Sequence, residues 1–345
     1  MKVSIILPIK NEANNISNTL DSIIANKIVL NQSEIIIVDG GSKDGTIEII
    51  RAYSNKYNFI KILKNPDGIV STGFNIGLNN AKGRVIFRVD GHCIIADDYI
   101  KRCLDILEKN EYDIVGGVID TISYGQIGQA IAKAQSSWFG VGGVKFRNIQ
   151  SNKSAFVDTL AFGAHKRELF LDIGGYDEEM VCNQDDEFNS RALQNGKKIW
   201  LEASIISKYI SRSDFMSLFK QYFNYGYYKL RGIQKRKKVV ALRHLIPVLF
   251  IMGLTTSIFI GYLLNNTILF YSVLYPYLLL NIIFSLIFSF SIASIPLIFL
   301  SYACIHIGYG LGFFTGLVRF IAKWFDREIK DYHFDRNIFI SNSTR

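Results

Sequence analysis

An α/β domain built on a mostly parallel sheet, with helices on both faces and membrane helices after it, is the fold class this sequence predicts. Three observations carry that expectation. In the first half of the 345-residue chain, short apolar runs alternate with amphipathic stretches, the pattern of strands joined by crossover helices. Two of the runs end on an aspartate, which puts acids at the carboxyl edge of the sheet, where ligands of open α/β sheets bind. From His244 to Val318 there is no Asp, Glu, Lys or Arg, a tract longer than one membrane span.

Taken in order, "VSIILP" (3–8) reads as a strand and "EANNISNTLDSIIAN" (12–26) as a helix with Ile16, Leu20, Ile23 and Ile24 on one face. "EIIIVD" (34–39) is a second strand, and "DGTIEIIRAYSNKY" (44–57) a second helix. "FIKIL" (59–63), a helix around "STGFNIGLNNA" (71–81), the strand "RVIFRVD" (84–90), a helix over about 97–109 and the strand "YDIVGGV" (112–118) continue the alternation. Residues 119–210 are less regular. Within them "NQDDEFNSRALQNGKKIW" (183–200) reads as a helix opened by acids and closed by Asn195-Gly196, with Phe188 and Leu193 as core positions. The division expected is therefore 1–118, 119–210, an amphipathic basic interfacial segment 211–243, a transmembrane region 244–318 and a cytoplasmic or interfacial tail 319–345.

The formal net charge of +9 does not point to nucleic acid, because Lys229, Arg231, Lys235, Arg236, Lys237, Lys238 and Arg243 crowd just before the apolar tract. Basic residues there keep a flank cytoplasmic and attract anionic lipid. The tract divides into apolar segments at about 245–264, 268–290 and 295–318. Arg319, Lys323, Arg327 and Lys330 after the last one also favour the cytoplasm, which three full crossings would contradict. The glycine-rich "HIGYGLGFFTG" (306–316) can pack closely on another helix, and His306 is either a functional polar group or a packing one. Cys93, Cys103, Cys182 and Cys304 form neither a disulfide framework nor a zinc pattern. The first residues lack a signal-peptide core.

Asp39 and Asp90 fall at strand ends on one rim of the sheet. "GGSKDGT" after Asp39 lets a ligand approach the backbone closely. It is not the dinucleotide fingerprint, so hydride chemistry is not expected.

Together, "VSIILPIKNEANNI", "IIIVDGGSKDGT", "FNIGLNNAKGRVIFRVDGH" and "GGYDEE…QDDEFNSR" resemble the family 2 glycosyltransferases of GT-A fold, in the same order and at similar separations. The variant "RVDGH", with "FGAHKREL" and "KQYFNYGYYK" ahead of a membrane tract, is most similar to bacterial membrane enzymes of the succinoglycan-biosynthesis type. That resemblance implies a Rossmann-like sheet whose residues 1–118 bind a nucleotide-sugar and whose residues 119–210 bind the acceptor and catalyse. It implies nucleotide-sugar contacts from Pro8, Asn11, Glu12, Asp39, Gly41, Ser42, Asp90, Arg191 and Gln221. It implies a divalent cation, Mn2+ or Mg2+, at Asp90 and His92, His92 standing where the family's second metal-motif aspartate is usual. A carboxylate at a helix start can take the acceptor's proton, so Asp185 is the expected base and Asp186 its rival.

The chain departs from the family at Gly40, where a second Asp is frequent, at Gln184, where Glu is usual, and in lacking an Arg-Trp after Gln221. His165 and Lys166 are candidates to touch a lipid-carrier phosphate. The function expected is a membrane-anchored inverting glycosyltransferase of polysaccharide biosynthesis. It moves a hexose from a nucleotide-diphosphate sugar, a UDP-sugar, to a lipid-linked saccharide at the cytoplasmic face of the plasma membrane, as a multi-pass protein with no nucleic-acid partner. The alternatives are a catalytically altered partner protein of the same fold and a sugar nucleotidyltransferase, the latter disfavoured because "PIKNEANN" follows the first strand where a glycine-rich loop is needed.

Overall fold

The computed structural model describes residues 2–27, 32–109, 111–147, 153–236 and 242–343; Lys237 and Lys238 of the basic cluster lie outside them. In chain order the elements are β1 (Val3–Ile9), α1 (Ile16–Ile24), β2 (Ser33–Asp39), α2 (Thr46–Lys56), β3 (Ile60–Lys64), α3 (Val70–Asn80), β4 (Val85–Arg88), β5 (Cys93–Ile95), α4 (Tyr99–Lys109) and β6 (Ile114–Ile122). There follow α5 (Gly125–Ser136), α6 (Trp138–Val141), β7 (Ala155–Phe156), β8 (Gly163–Lys166), α7 (Arg167–Ile173), α8 (Gln184–Gln194), β9 (Ile199–Ile210) and α9 (Phe215–Arg236). The apolar helices are α10 (Ile246–Leu263), α11 (Ile268–Ile287) and α12 (Ser294–Arg319), and α13 (Arg336–Ser343) ends the fold.

The chain divides into two compact units, one of Met1–Asp120, Ile149–Tyr209 and Glu328–Arg345, the other of Thr121–Asn148 and Ile210–Arg327. The first holds the sheet, ordered β3-β2-β1-β4-β8-β6-β9-β5 with β7 beside β9. β1 is parallel to β2 and to β4, and β2 to β3. These strands read as unbroken apolar runs because both faces are covered: every residue of β1 and β2 is buried. Beyond β4 the pairing turns antiparallel, β4 with β8, β8 with β6, and β9 with β5 and β7. Since the chain steps outward from β1 through β2 to β3 and then crosses back from β3 to β4 on the other side of β1, a crevice opens at the carboxyl ends of β1, β2 and β4.

α3 lies on β1 and β2 through Gly77, where a Cβ would stand 2.4 Å from Ile6 Cγ2. Phe188 is fully buried, as expected, but Leu193 is 39% exposed, because the buried stripe of α8 runs through Glu187, Phe188, Arg191 and Ala192. The tail also belongs to this unit. Asn79 Nδ2 donates to the His333 carbonyl at 2.7 Å, Gly175 N–H to Asp331 at 3.1 Å, and the Arg167 guanidinium lies 3.6 Å from the centroid of the buried Phe339 ring. A desolvated contact of that kind contributes about 2 kcal/mol.

In the second unit, α9 and α12 cross with almost no side chain between them. A Cβ on Gly226 would stand 2.0 Å from the Tyr309 carbonyl oxygen, and one on Gly312 1.9 Å from that of Phe223. Leu218, Tyr222, Leu230, Ile298, Tyr302 and Ile305 form the core beside this crossing with Ala130 and Ile131 of α5. His306 has the packing role: Nε2 meets the Phe139 carbonyl at 2.9 Å and Nδ1 the Tyr277 hydroxyl at 3.3 Å.

Candidate active site

Asp39 is the last residue of β2 and is buried. Its carboxylate folds back on its own loop, accepting from Gly41 N–H at 3.0 Å and Ser42 N–H at 3.2 Å, the turn geometry expected of an Asp before glycines. Ser42 Oγ then accepts from Asn11 N–H at 2.8 Å, while Lys43 N–H donates to Asn11 Oδ1 at 2.9 Å. Asn11 itself has φ +56, a backbone state that Asn tolerates better than most residues. Glu12 N–H donates to Thr46 Oγ1 at 2.8 Å and Ala13 N–H to Asp44 at 3.0 Å. The Thr46 hydroxyl, chiefly, holds the Asp44 carboxyl below its usual range. The loops after β1 and β2 are thereby knitted into one rim, with the buried Pro8 on β1 just behind them.

Gly40 is explained by the same rim. A Cβ there would meet Gly68 Cα at 3.1 Å and the Ile9 carbonyl oxygen at 3.3 Å, so a second aspartate would need this backbone to give by a few tenths of an ångström.

The rim continues through Glu12 to His92. Glu12 Oε1 and His92 Nδ1 are 2.7 Å apart, and the imidazole packs edge-on against Tyr209. Burial pulls this imidazole down, but Tyr209, Glu12 and Asp90 outweigh it and push it up to about 10. The Glu12 carboxylate thus favours the protonated ring, and since a metal-ligating imidazole is neutral, a cation would compete with this ion pair for His92. Among the described residues no group of three or more His, Cys, Asp or Glu side chains could hold a metal ion. Asp90 is one hard oxygen ligand in an open setting, which suits a cation that completes its shell with phosphates and water better than one caged by protein.

Arg88, which the sequence reading passed over, joins the two halves of the site. Its Nη2 donates to Asp90 Oδ1 at 2.8 Å and its Nη1 stands 4.0 Å from Asp185 Oδ2. The guanidinium is 4% exposed and rests over the Tyr176 ring, part of a cluster with Phe74, Phe170 and Phe188. Burial works against its charge, but Asp90, Tyr176 and Asp185 hold it firmly protonated. Its Nε and Nη1 have no hydrogen-bond partner among the described residues.

Asp185 sits in the first turn of α8, and its Oδ1 accepts from Asp186 N–H at 2.9 Å. Burial and then the neighbouring Asp186 push its carboxyl up to about 6, with Arg88 pulling the other way. A carboxylate poised near neutrality is what general-base work needs.

Other expected site residues have protein partners of their own. Arg191 is buried in an ion pair with Glu187 at 2.9 Å and donates to the Gly175 carbonyl at 2.7 Å and to that of Ile173; it staples α8 to the turn before it. Gln221 lies in the second unit, donating to Tyr225 Oη at 3.1 Å and facing Gln135 at 3.4 Å. His165 is buried in β8 against Phe170 and Phe188, and burial lowers its imidazole to about 4, which makes it a neutral core residue. Also missed was Asn75, whose buried amide binds Tyr176 N–H and carbonyl, at 2.8 Å each, and Glu178 at 2.7 Å.

The family model "Glycosyl transferase family 2" matches residues 4–174. Over 249 residues the chain is 30% identical to the succinoglycan biosynthesis protein ExoA of Rhizobium meliloti (strain 1021), covering 71% of this chain and 74% of that one. It is 29% identical over 270 residues to the dolichyl N-acetyl-alpha-D-glucosaminyl phosphate 3-beta-D-2,3-diacetamido-2,3-dideoxy-beta-D-glucuronosyltransferase of Methanococcus voltae, covering 76% and 83%. The crystal structure of GalNAc-T7 with UDP, GalNAc and Mn2+ superposes with a TM-score of 0.50 at 20% identity, over 62% of this chain and 44% of that one. That likeness shows the shared fold.

Proposed function

This chain belongs to glycosyl transferase family 2, with the GT-A fold, and from that premise we propose that it is a membrane-anchored inverting hexosyltransferase using a UDP-sugar and a lipid-linked saccharide. The observation that carries the reading is the buried Arg88 guanidinium held between Asp90 and Asp185. It ties the strand-end acid on the donor side to the helix-start acid on the acceptor side within one site.

In this mechanism the Asp39 rim binds the nucleotide base. A carboxylate has about four acceptor positions, so its two loop contacts leave room for an imide N–H. The leaving diphosphate lies toward Asp90 and Arg88, whose buried guanidinium behind Asp90 adds positive charge at that end of the site. A divalent cation held by Asp90 and phosphate oxygens would neutralise further charge on the leaving group. His92, ion-paired to Glu12, serves as a fixed positive charge at the rim. Asp185 takes the proton of the acceptor hydroxyl as that oxygen attacks the anomeric carbon from the face opposite the departing diphosphate. The new glycosidic bond forms as the bond to phosphate breaks, with inversion.

The dolichyl phosphate sugar in the name of the Methanococcus voltae relative supports a lipid-linked acceptor. The three apolar helices and the basic residues before them support anchoring in the plasma membrane with the catalytic unit cytoplasmic. The test is to incubate membranes containing the full chain with radiolabelled UDP-hexoses and either Mn2+, Mg2+ or a chelator. Label passing into the lipid extract with release of UDP is expected with a divalent cation. Transfer to no acceptor from any UDP-sugar would reject the donor class.

A further inference from the structure

The membrane helices lie between two segments of one folded unit. Met1–Asp120, Ile149–Tyr209 and Glu328–Arg345 belong to the same body, joined by the Asp331, Asn79 and Phe339 contacts given above. His333 Nδ1 adds a 2.9 Å contact to the buried Glu178, and Glu178 N–H donates to the Lys330 carbonyl at 2.6 Å. A folded polar domain occupies one face of a bilayer. The chain between Tyr209 and Glu328 must therefore cross an even number of times, yet among the described residues three helices are long and apolar enough to cross. Resting on the membrane anchoring proposed above, we infer that α10 and α11 cross as a hairpin, that α12 lies at the membrane surface, and that the C-terminal segment never leaves the catalytic face.

α12 is the exception on three counts. Its most apolar stretch is 56% buried within the protein, against 22% for α10 and 11% for α11. Its glycines at 308, 312 and 316 seat it on the backbone of α9 beside Phe219, Phe223 and Tyr227. At the same level α9 exposes Lys220 and Asn224 to solvent, and a lysine in the hydrocarbon centre costs about 2.5–3.5 kcal/mol. Two helices in backbone contact share a depth, so Gly308–Gly316 lies outside the hydrocarbon.

α10 and α11 behave otherwise. They run antiparallel, with Phe250 stacked on Tyr277 at 4.1 Å and the Asn266 N–H closing the turn onto the Gly261 carbonyl at 2.8 Å. Their 18 and 20 residues span about 27 and 30 Å. Phe259, Leu263, Ile268 and Ile287 are each more than 60% exposed, a surface suited to acyl chains. The polar tip Asn265-Asn266-Thr267 would reach the far headgroups.

Single cysteines placed in the full chain at the hairpin tip, at the α11–α12 turn and in the tail test this: Asn265→Cys, Ser291→Cys and Asp335→Cys, with the four native cysteines replaced by serine or alanine. A membrane-impermeant maleimide should label Asn265→Cys in intact cells, and the other two only after permeabilisation. Tail labelling in intact cells would overturn the even count. Failure to label the tip until permeabilisation would overturn the crossing hairpin. Recovery of the unsubstituted chain in the soluble fraction would reject the anchoring itself, and retention of lipid labelling activity by the cysteine variants shows that each is folded.

Discussion

The rim around Arg88 and the crossing of α9 on α12 bring helices and strands together in opposite ways. At the rim, a buried guanidinium and a half-buried carboxyl are left partly uncompensated: Arg88 keeps two nitrogens without hydrogen bonds among the described residues, and Asp185 is held near 6. At the crossing, side chains are removed altogether and backbone meets backbone at Gly226 and Gly312. The first arrangement stores unfavourable electrostatics that a ligand can relieve. The second leaves nothing for a ligand to relieve and only packing to lose. Substitutions should accordingly harm activity in one region and folding in the other.

The largest expected effect is at Asp185. Asp185→Asn should lower turnover about 10²- to 10⁴-fold and yet raise the melting temperature. A carboxyl whose folded pKa is raised contributes most to stability below its unfolded pKa of 3.8, and that contribution is lost as pH rises through about 6. At pH 7.5 the amide removes this penalty, on the order of 1 kcal/mol, since 26% of the side chain still meets solvent. Thermal unfolding and UDP release on the same preparation check both halves; a melting temperature that falls would break the contrast drawn above.

Gly312→Val comes next, at about 3 kcal/mol or more. Its Cβ has no room beside the Phe223 carbonyl, so monodisperse protein extracted in detergent should be largely lost. Arg88→Gln should cost about 100-fold in turnover at pH 6–7 with little loss of yield. Because Arg88 lowers the Asp185 pKa, the acid limb of the rate profile should move upward and activity recover partly at higher pH. The smallest change is Asp186→Asn. Asp186 raises the Asp185 pKa, so the acid limb, near pH 6 in the native protein because the base must be ionised, should move lower; a profile that stays put would assign the base elsewhere.

How much of this could be read in advance also differs between regions. The parallel half of the sheet was legible because each strand is a buried apolar run followed by an amphipathic helix. β9 was not, although its inward residues Ile199, Leu201, Ile205, Ser207 and Tyr209 alternate with more exposed ones, since Ser207 and the charged Glu202 and Lys208 dilute the apolar signal. Asp39, Asp90 and Asp185 were legible from their places at element ends. Arg88 was available to the same logic: in "IFRVDGH" it is two residues from Asp90, so both side chains emerge on one side of an extended chain. The packing partners of Arg191, Gln221 and His165, such as Glu187, Gln135 and Phe188, could not be read, because they are set by helix rotation and long-range packing. Nothing local in "DYHFDRNIFISN" announces that it packs on α3.

That last packing imposes an order on biosynthesis. The ribosome releases the sheet first, but Arg167, Asn79 and Glu178 meet their partners only after residues 331–342 emerge, and those follow the apolar helices. Synthesis of the apolar helices therefore precedes completion of the first unit, and a nascent chain stalled before α13 holds a sheet whose α3 flank is still open to solvent. The last contacts of the first unit can close only after the apolar helices have left the ribosome.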